Sequence, residues 1–379
     1  MPISREKRDQ LRKKAQRVAR DVVAPRADEI DSRGEIPGEI KRAFLQNGFL
    51  SLILPEFYGG TSCDIPALCA VVEEVAKVCT SSSLLVLSHA VGTLPIYLAG
   101  RRPLKERIFD RITGGQIMAF ALTEPDAGSD AAAIKTRASL GRNGYSVTGT
   151  KCFISFGATA GAYSAFVSTS PEKRLGGISC VVLERDRPGV SVGKIEKKMG
   201  MHGSDTAELV FDDVTVPREN LVGEEGHGWY VAMSTLLRSR PAVGAQAVGL
   251  SQGARDHAVE FVKRTVRGGK PLHESQWVRF KIADLDTQIE AARSLVYRTA
   301  SSINVRQKGV SLERLSAMTK LFATDVAMHV TGEVVQLMED EGYTRRTPVE
   351  RMMRDAKILQ IYEGTNQIQR LIIGHSIFK

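Results

Sequence analysis

Nothing in this sequence pairs its cysteines. The five present, Cys63, Cys69, Cys79, Cys152 and Cys180, form no CxxC motif and no set at metal-ligand spacing. They read as free thiols in a reducing compartment, with no metal site among them. Long hydrophobic runs are missing as well. No secretory leader or transmembrane run is visible, so a cytoplasmic protein away from the membrane is expected. There are no internal repeats, low-complexity stretches or long disordered linkers. Tyr58-Gly59-Gly60 is a turn, but it does not stand between strand and helix in a βαβ unit, so it is no dinucleotide fingerprint. Acid is the scarcer charge: 52 Lys and Arg against 43 Asp and Glu give a formal +9. That suits a polyanionic small molecule, an acidic partner or nucleic acid, and does not choose between them.

The basic residues are scattered, apart from Arg5, Lys7, Arg8, Arg12, Lys13 and Lys14. Leu11, Ala15, Val18, Val22 and Val23 share that segment. It reads as an amphipathic helix with a solvated basic face rather than a nucleic-acid arm, and no nucleic-acid partner is expected. Glu6 and Asp9 argue against a transit peptide.

At 379 residues, two or three domains are expected. Residues 1–117 read as a helical domain, with helical spacing at Leu68, Val71, Val72, Val75 and Ala76. Residues 118–225 read as a β-barrel or sandwich, with a hairpin turn at Asn143-Gly144. Residues 226–379 return to the helical period, with long helices at 228–265, 273–306 and 311–338 forming a bundle. The fold class is therefore α+β and multidomain: helices, a β module, then a helical bundle.

Several stretches can carry chemistry. Phe120 to Asp130 ends a strand in a turn dense in hydroxyls, acids and glycine. Its backbone N–H groups and the Thr123 and Ser129 hydroxyls suit a polar heterocycle or a phosphate. Gly149 to Ser155 places an aromatic and a hydroxyl on one strand. Lys198 to Thr206 is a polar loop before another strand. Near the C-terminus, Thr347, Pro348 and Glu350 form a capping-box pattern with proline at the first helical position. Asn366, with Gln369 three residues on, can cap the next helix. Between the two helices Gly364 breaks the path, so Glu363 sits on a tight bend beside Tyr362. Desolvation there should raise its pKa toward the range useful for a general base. Gly249-Leu250-Ser251-Gln252-Gly253 matches the G-x-S-x-G nucleophile elbow. It lies within an alanine-rich helical pattern, and small residues for close helix packing explain it better than a serine hydrolase does.

Together Phe120–Asp130, Gly149–Ser155, Ser204–Pro217 and Met353–Ile373 resemble the signatures of the acyl-CoA dehydrogenase family, in order and over nearly the whole chain. The Ile361 to Thr365 segment is similar to the short- and medium-chain branch. The resemblance implies FAD as cofactor and a homotetramer, or a dimer. It implies a fatty acyl-CoA thioester oxidised to a trans-2-enoyl-CoA, with electrons passed to an electron-transfer flavoprotein. It also implies the acyl-CoA dehydrogenase fold with a C-terminal four-helix bundle. Glu363 matches the general base. Leu122, Thr123, Gly128, Ser129, Phe153, Ser155, Thr365 and Gln367 match flavin-contacting positions, with Phe153 in place of tryptophan and Ser155 in place of threonine. Ser129, Arg240, Tyr362 and Gly364 match positions near the substrate. In another branch the base precedes that arginine, where this chain has Ser239. Leu87, His89 and Val91 lie where pocket residues are expected. An acyl-carrier-protein-linked dehydrogenase, an oxidase, and a flavin-poor binding or scaffold protein are the alternatives.

Two departures stand out. Thr265 and Gly268 replace an arginine and an aromatic that meet the neighbouring subunit's FAD pyrophosphate in the family. After Gln336, Glu339 and Asp340 replace glycines of a loop with the same role. Carboxylates near a pyrophosphate are unfavourable. Arg264 and Arg267 are the residues expected to compensate. Weakened or rearranged FAD binding across the interface, or a non-standard oligomer, is the expectation.

Overall fold

The computed structural model describes residues 3–305 and 311–378, and its elements fall in three runs. The first comprises α1 (Arg5–Val18), α2 (Ala27–Arg33), α3 (Gly38–Gln46), α4 (Ile65–Ala76), α5 (Thr80–Ala99) and α6 (Arg102–Thr113). α4 starts where the Asp64 carboxylate accepts from the Ala67 N–H, with Pro66 in the first turn. All of α4 is buried. α5 is long and apolar enough to cross a membrane by length and composition, which revises the expectation of no such run. Its residues 80–96 are buried within the protein, as in the core helix of a globular fold.

The basic face of α1 is not simply solvated. Leu11, Ala15 and Val18 face the core as expected. Arg8, however, reaches Asp64 at 2.9 Å, and Arg12 reaches Glu73 at 3.1 Å and Glu74 at 2.8 Å. Those three acids are buried. A buried carboxylate requires a partner, so the acids of α4 capture the arginines of α1.

The second run is β1 (Met118–Ala121), β2 (Arg137–Gly141), β3 (Gly144–Ser155), β4 (Ala162–Ser168), β5 (Ile178–Glu184), β6 (Val190–Ile195) and β7 (Thr206–Val216). They form one connected, curled sheet in the order β1-β4-β2-β3-β7-β6, with β5 also paired to β4. The β2–β3 turn is Arg142-Asn143, one residue earlier than expected, because Gly141 pairs with Gly144. The β3 register slips against β7 between Lys151 and Ile154. Phe153 lies in that irregularity with φ +55°, and it is 62% exposed while Cys152 and Ile154 are buried.

The third run is α7 (Gly228–Arg264), the short hairpin β8 (Val266–Arg267) and β9 (Lys270–Pro271), α8 (Gln276–Val305), α9 (Leu312–Leu337), α10 (Glu339–Tyr343), α11 (Val349–Leu359) and α12 (Asn366–Ile377). The three long helices agree with the sequence periodicity; position 306, expected at the end of one, lies outside the described residues. α9 packs against α7, α11 and α12. α7 lies directly on α4. A Cβ at Gly249 would stand 2.1 Å from the Glu73 carbonyl oxygen, and one at Gly253 2.0 Å from that of Lys77. Ser251 lies between them, buried, its Oγ donating to the Ala247 carbonyl at 2.7 Å. The G-x-S-x-G pattern is thus a helix-packing seam. A Ser251→Ala variant should keep turnover roughly unchanged in the assay described below, since only a local back-bond is lost. A loss of several hundredfold would restore the nucleophile reading.

Candidate active site

α11 and α12 are joined by the turn that carries Glu363. The expected capping box at its entrance does not form. Thr347 Oγ1 donates to the Glu341 carbonyl at 2.7 Å, and Glu350 pairs with Arg354 at 2.7 Å. Pro348 is the N-cap residue rather than the first helical one. At the exit Thr365, not Asn366, caps α12: its hydroxyl accepts from the Ile368 N–H at 3.2 Å. Asn366 is drawn into the core instead. Its Oδ1 accepts from Lys320 Nζ at 2.8 Å, and its Nδ2 donates to Asp325 at 2.7 Å.

Glu363 adopts φ +53° and Gly364 φ +90°. The first is a left-handed conformation at a non-glycine residue, which costs on the order of 1 kcal/mol and needs surrounding contacts to hold it. A Cβ at Gly364 would stand 2.6 Å from Gln369 Nε2. Gln369 Nε2 donates to the Gly364 carbonyl at 2.9 Å, and so does Lys320 Nζ at 2.9 Å. Among the described residues the Glu363 N–H has no acceptor.

Glu363 Oε2 accepts from Ser239 Oγ on α7 at 2.5 Å. Burial raises the Glu363 carboxyl above its ordinary range, against the downward pull of the Ser239 hydrogen bond, Arg240 and Lys320. Arg240 is 7% exposed, and its Nε is buried without a partner. Burial also pulls Lys320 down to about 7, opposed by Glu363. Tyr362 donates its hydroxyl to Gln246 Oε1, and Gln246 Nε2 donates to Ser83 Oγ at 2.8 Å. Burial holds the Tyr362 hydroxyl well above its usual pKa. The turn is therefore a desolvated carboxylate held by a hydroxyl, with the Arg240 guanidinium and the Lys320 amine, a cation below about pH 7, buried nearby. That arrangement suits proton abstraction from a weak carbon acid.

Glu363, Gly364, Tyr362, Thr365 and Arg240 thus come together. Gln367 lies one position into α12 and is exposed. A second group gathers at β3. The Leu122 carbonyl accepts from Lys151 Nζ at 3.0 Å, and the Thr123 carbonyl from the Cys152 N–H at 2.9 Å. Glu124 accepts from Lys151 at 2.7 Å and from the N–H groups of Lys135 and Thr136. These bonds pin the 122–129 turn to the strand that carries Phe153 and Ser155. Gly128 and Ser129 remain exposed on it, and a Cβ at Gly128 would meet nothing within 4 Å.

Arg264, Arg267 and Gln336 do not join either group. Arg264 is 24 residues along α7 from Arg240, about 36 Å at the helical rise. Arg264 pairs with Glu341, Arg267 with Glu339 at 2.6 Å, and Arg346 with Asp340. Each acid of that loop is therefore covered. Gly268 and Gly269 have φ +56° and +76° and form the β8–β9 turn. Two successive left-handed residues favour glycine, which accounts for Gly268 where an aromatic was expected.

Two further stretches named from the sequence are held by specific bonds. His89 has both ring nitrogens engaged by the backbone: Nε2 lies 2.6 Å from the Leu50 carbonyl, and Nδ1 accepts from the Met118 N–H at 3.0 Å. Burial pushes its pKa down to about 4. The Lys198–Thr206 loop is a clasp between elements. Met201 N–H donates to buried Asp355 on α11, and His202 stands 3.0 Å from Asp31 of α2. Sequence reading missed Ser239 as a partner of Glu363, missed Lys320 altogether, and took Gln369 only as part of a helix cap. The available signal was Lys320 sharing the buried face of α9 with Ser316, Ala323 and Ala327.

Family models for the N-terminal, middle and C-terminal domains of acyl-CoA dehydrogenase match residues 5–116, 119–214 and 226–378. The chain belongs to the acyl-CoA dehydrogenase family. It is an oxidoreductase acting on CH–CH groups, in a family of FAD flavoproteins. Cyclohexane-1-carbonyl-CoA dehydrogenase of Geobacter metallireducens is 43% identical over 363 residues, 95% of this chain and 94% of that protein. Butyryl-CoA dehydrogenase of Megasphaera elsdenii is 39% identical, covers both chains completely and superposes with a TM-score of 0.94. A chain solved in work on the electron transferring flavoprotein of Acidaminococcus fermentans is 39% identical, with complete coverage of both chains and a TM-score of 0.95.

Proposed function

We propose that this enzyme oxidises the Cα–Cβ bond of a saturated acyl-CoA to a 2-enoyl-CoA, with Glu363 as the base that removes the α-proton. The observation that carries this reading is the Glu363 carboxylate on its left-handed turn, raised by burial and held by Ser239. An α-proton of a thioester is only weakly acidic, so a desolvated carboxylate is needed to take it. The developing enolate oxygen needs fixed donors, and the unpartnered Glu363 N–H is one that costs no reorganisation.

The residues present fit FAD. Phe153 is an exposed aromatic residue on β3, and Thr123, Ser129 and Ser155 carry hydroxyls on that strand and on the turn pinned to it. The orphaned Arg240 Nε and Gln369 Oε1 are polar atoms in the Glu363 site without a protein partner. When bound, FAD supplies the two-electron acceptor for the β-hydrogen; the protein's part is to position and desolvate. The reading extends to an electron-transfer flavoprotein as acceptor and to a homo-oligomer. In that assembly Arg264, Arg267 and Gln336 serve a neighbouring copy's cofactor. The ion pairs of Arg264 and Arg267 then offset the acids that would oppose a pyrophosphate.

The test is the visible spectrum of the purified protein, followed anaerobically as butyryl-CoA, octanoyl-CoA or cyclohexane-1-carbonyl-CoA is added. A band near 450 nm (roughly, as for any oxidised flavin) that bleaches with one of them is the expected result. The relative rates then rank straight-chain against ring substrates. A protein that stays colourless in excess FAD would overturn the reading in favour of a binding protein.

A further inference from the structure

Lys320 is among the largest fully buried side chains of the protein. It rises from the middle of α9 beneath the turn that holds Glu363. Its Nζ donates to the Gly364 carbonyl at 2.9 Å and to Asn366 Oδ1 at 2.8 Å. Both acceptors flank Glu363 within three residues. Among the described residues it makes no ion pair. A buried ammonium without a contacting carboxylate is costly, and such a group is retained where its charge or its fixed donors are used. Here the uses coincide. The donors fix the Gly364 carbonyl, and through it the left-handed residue before it. The charge lies close enough to Glu363 for each to act on the other.

We propose that Lys320 is the positioning residue of the catalytic turn: it fixes the backbone that aims the Glu363 carboxylate and supplies a positive charge that favours its ionised form. The inference rests on the reading of Glu363 as base. Gln369 shares the first task, since it donates to the same carbonyl. It cannot share the second, being neutral. Arg240 on α7 shares the second but not the first.

The groups that face this pair are Ser239 and Arg240 from α7, Asp325 from α9, and Tyr362 from the turn itself. Glu313 acts on Arg240, and Asp355 acts on Tyr362. Removing the Lys320 charge leaves Arg240 as the one buried cation acting on Glu363. The Glu363 carboxyl is then easier to protonate, and the base needs a higher pH to be active.

The experiment uses the FAD-loaded protein and measures the rate of anaerobic bleaching by a saturated acyl-CoA from pH 5.5 to 9.5 (roughly, the span over which a raised carboxyl and lysine titrate). Lys320→Gln keeps a donor for the Gly364 carbonyl and loses the charge. Lys320→Met loses both. Lys320→Gln should move the acidic limb of the profile up by about one pH unit, as for loss of a nearby opposite charge. Lys320→Met should show the same shift and a further drop of about tenfold in the limiting rate, with KM changed less. Lys320→Arg restores the charge and should move the limb back toward its original position. A merely structural lysine would lower the amount of holoprotein and leave the limb where it was.

An unmoved limb in Lys320→Gln, with Glu363→Gln inactive, overturns this proposal alone. Bleaching that survives in Glu363→Gln overturns the base and this proposal with it. Should Lys320→Met not fold, the Lys320→Gln and Lys320→Arg profiles decide the matter.

Discussion

Glu363→Gln should retain the flavin band and lose substrate-driven bleaching by about 10^3-fold, within the range for removal of a general base. The amide keeps the shape of the side chain and can still meet Ser239, so the turn and the cofactor are left in place. What disappears is the proton acceptor. In the parent protein the active form is the carboxylate, and burial has raised its pKa above the ordinary carboxyl value. The bleaching rate should therefore rise with pH through that raised pKa and fall away below it. The limb lies higher than for a solvated glutamate. In Glu363→Gln the residual rate should have no such limb. Stopped-flow bleaching across the pH range, with flavin content measured first, reads both effects. A variant that bleaches within tenfold of the parent would remove Glu363 from the chemistry.

The second large effect is on stability. Lys151 is fully buried, and its ammonium meets the Glu124 carboxylate at 2.7 Å and the Leu122 carbonyl at 3.0 Å. Lys151→Met would leave the buried Glu124 carboxylate with backbone N–H donors and no cation. The expected cost is about 3–5 kcal/mol, because the uncompensated charge stays in the core. The 122–129 turn would also lose its anchor to β3, so FAD retention on gel filtration should fall with stability. Replacing both partners, Lys151→Met with Glu124→Gln, should recover part of the loss, since the stranded charge is then gone. Denaturant midpoints of the three proteins, read in excess FAD, provide the check. A Lys151→Met midpoint equal to the parent's would show that the pair carries no net stability.

The three runs of elements were legible because periods of 3.6 and 2.0 are local properties of the chain. The turn at Glu363 was legible for a related reason: Gly364 marks the bend, and the residues around it resemble family signatures. What stayed hidden was set by partners distant in sequence. Ser239 lies 124 positions from Glu363, and Lys320 lies 44 positions from the carbonyl it holds. The caps show the same limit. Asn366 is as good a cap as Thr365 on local grounds, and it is Lys320, Thr324 and Asp325, all on α9, that draw its side chain inward. Arg8 and Arg12 look solvated until α4 brings Asp64, Glu73 and Glu74 beneath them. Gly268 looked like the loss of a contact and proved to be the requirement of a two-residue turn.

The seam of Gly249 and Gly253 has a consequence for how this scaffold can be retuned. At these positions α7 rests on the backbone carbonyls of Glu73 and Lys77 with no side chain between them, so a residue larger than glycine at either position would force the two helices apart. Ser239 and Arg240 lie on the same helix, on the far side of Pro241. The seam is thereby closed to substitution, and a different acyl group is met more readily by exchanging side chains around the Glu363 turn than by prising α7 from its bed.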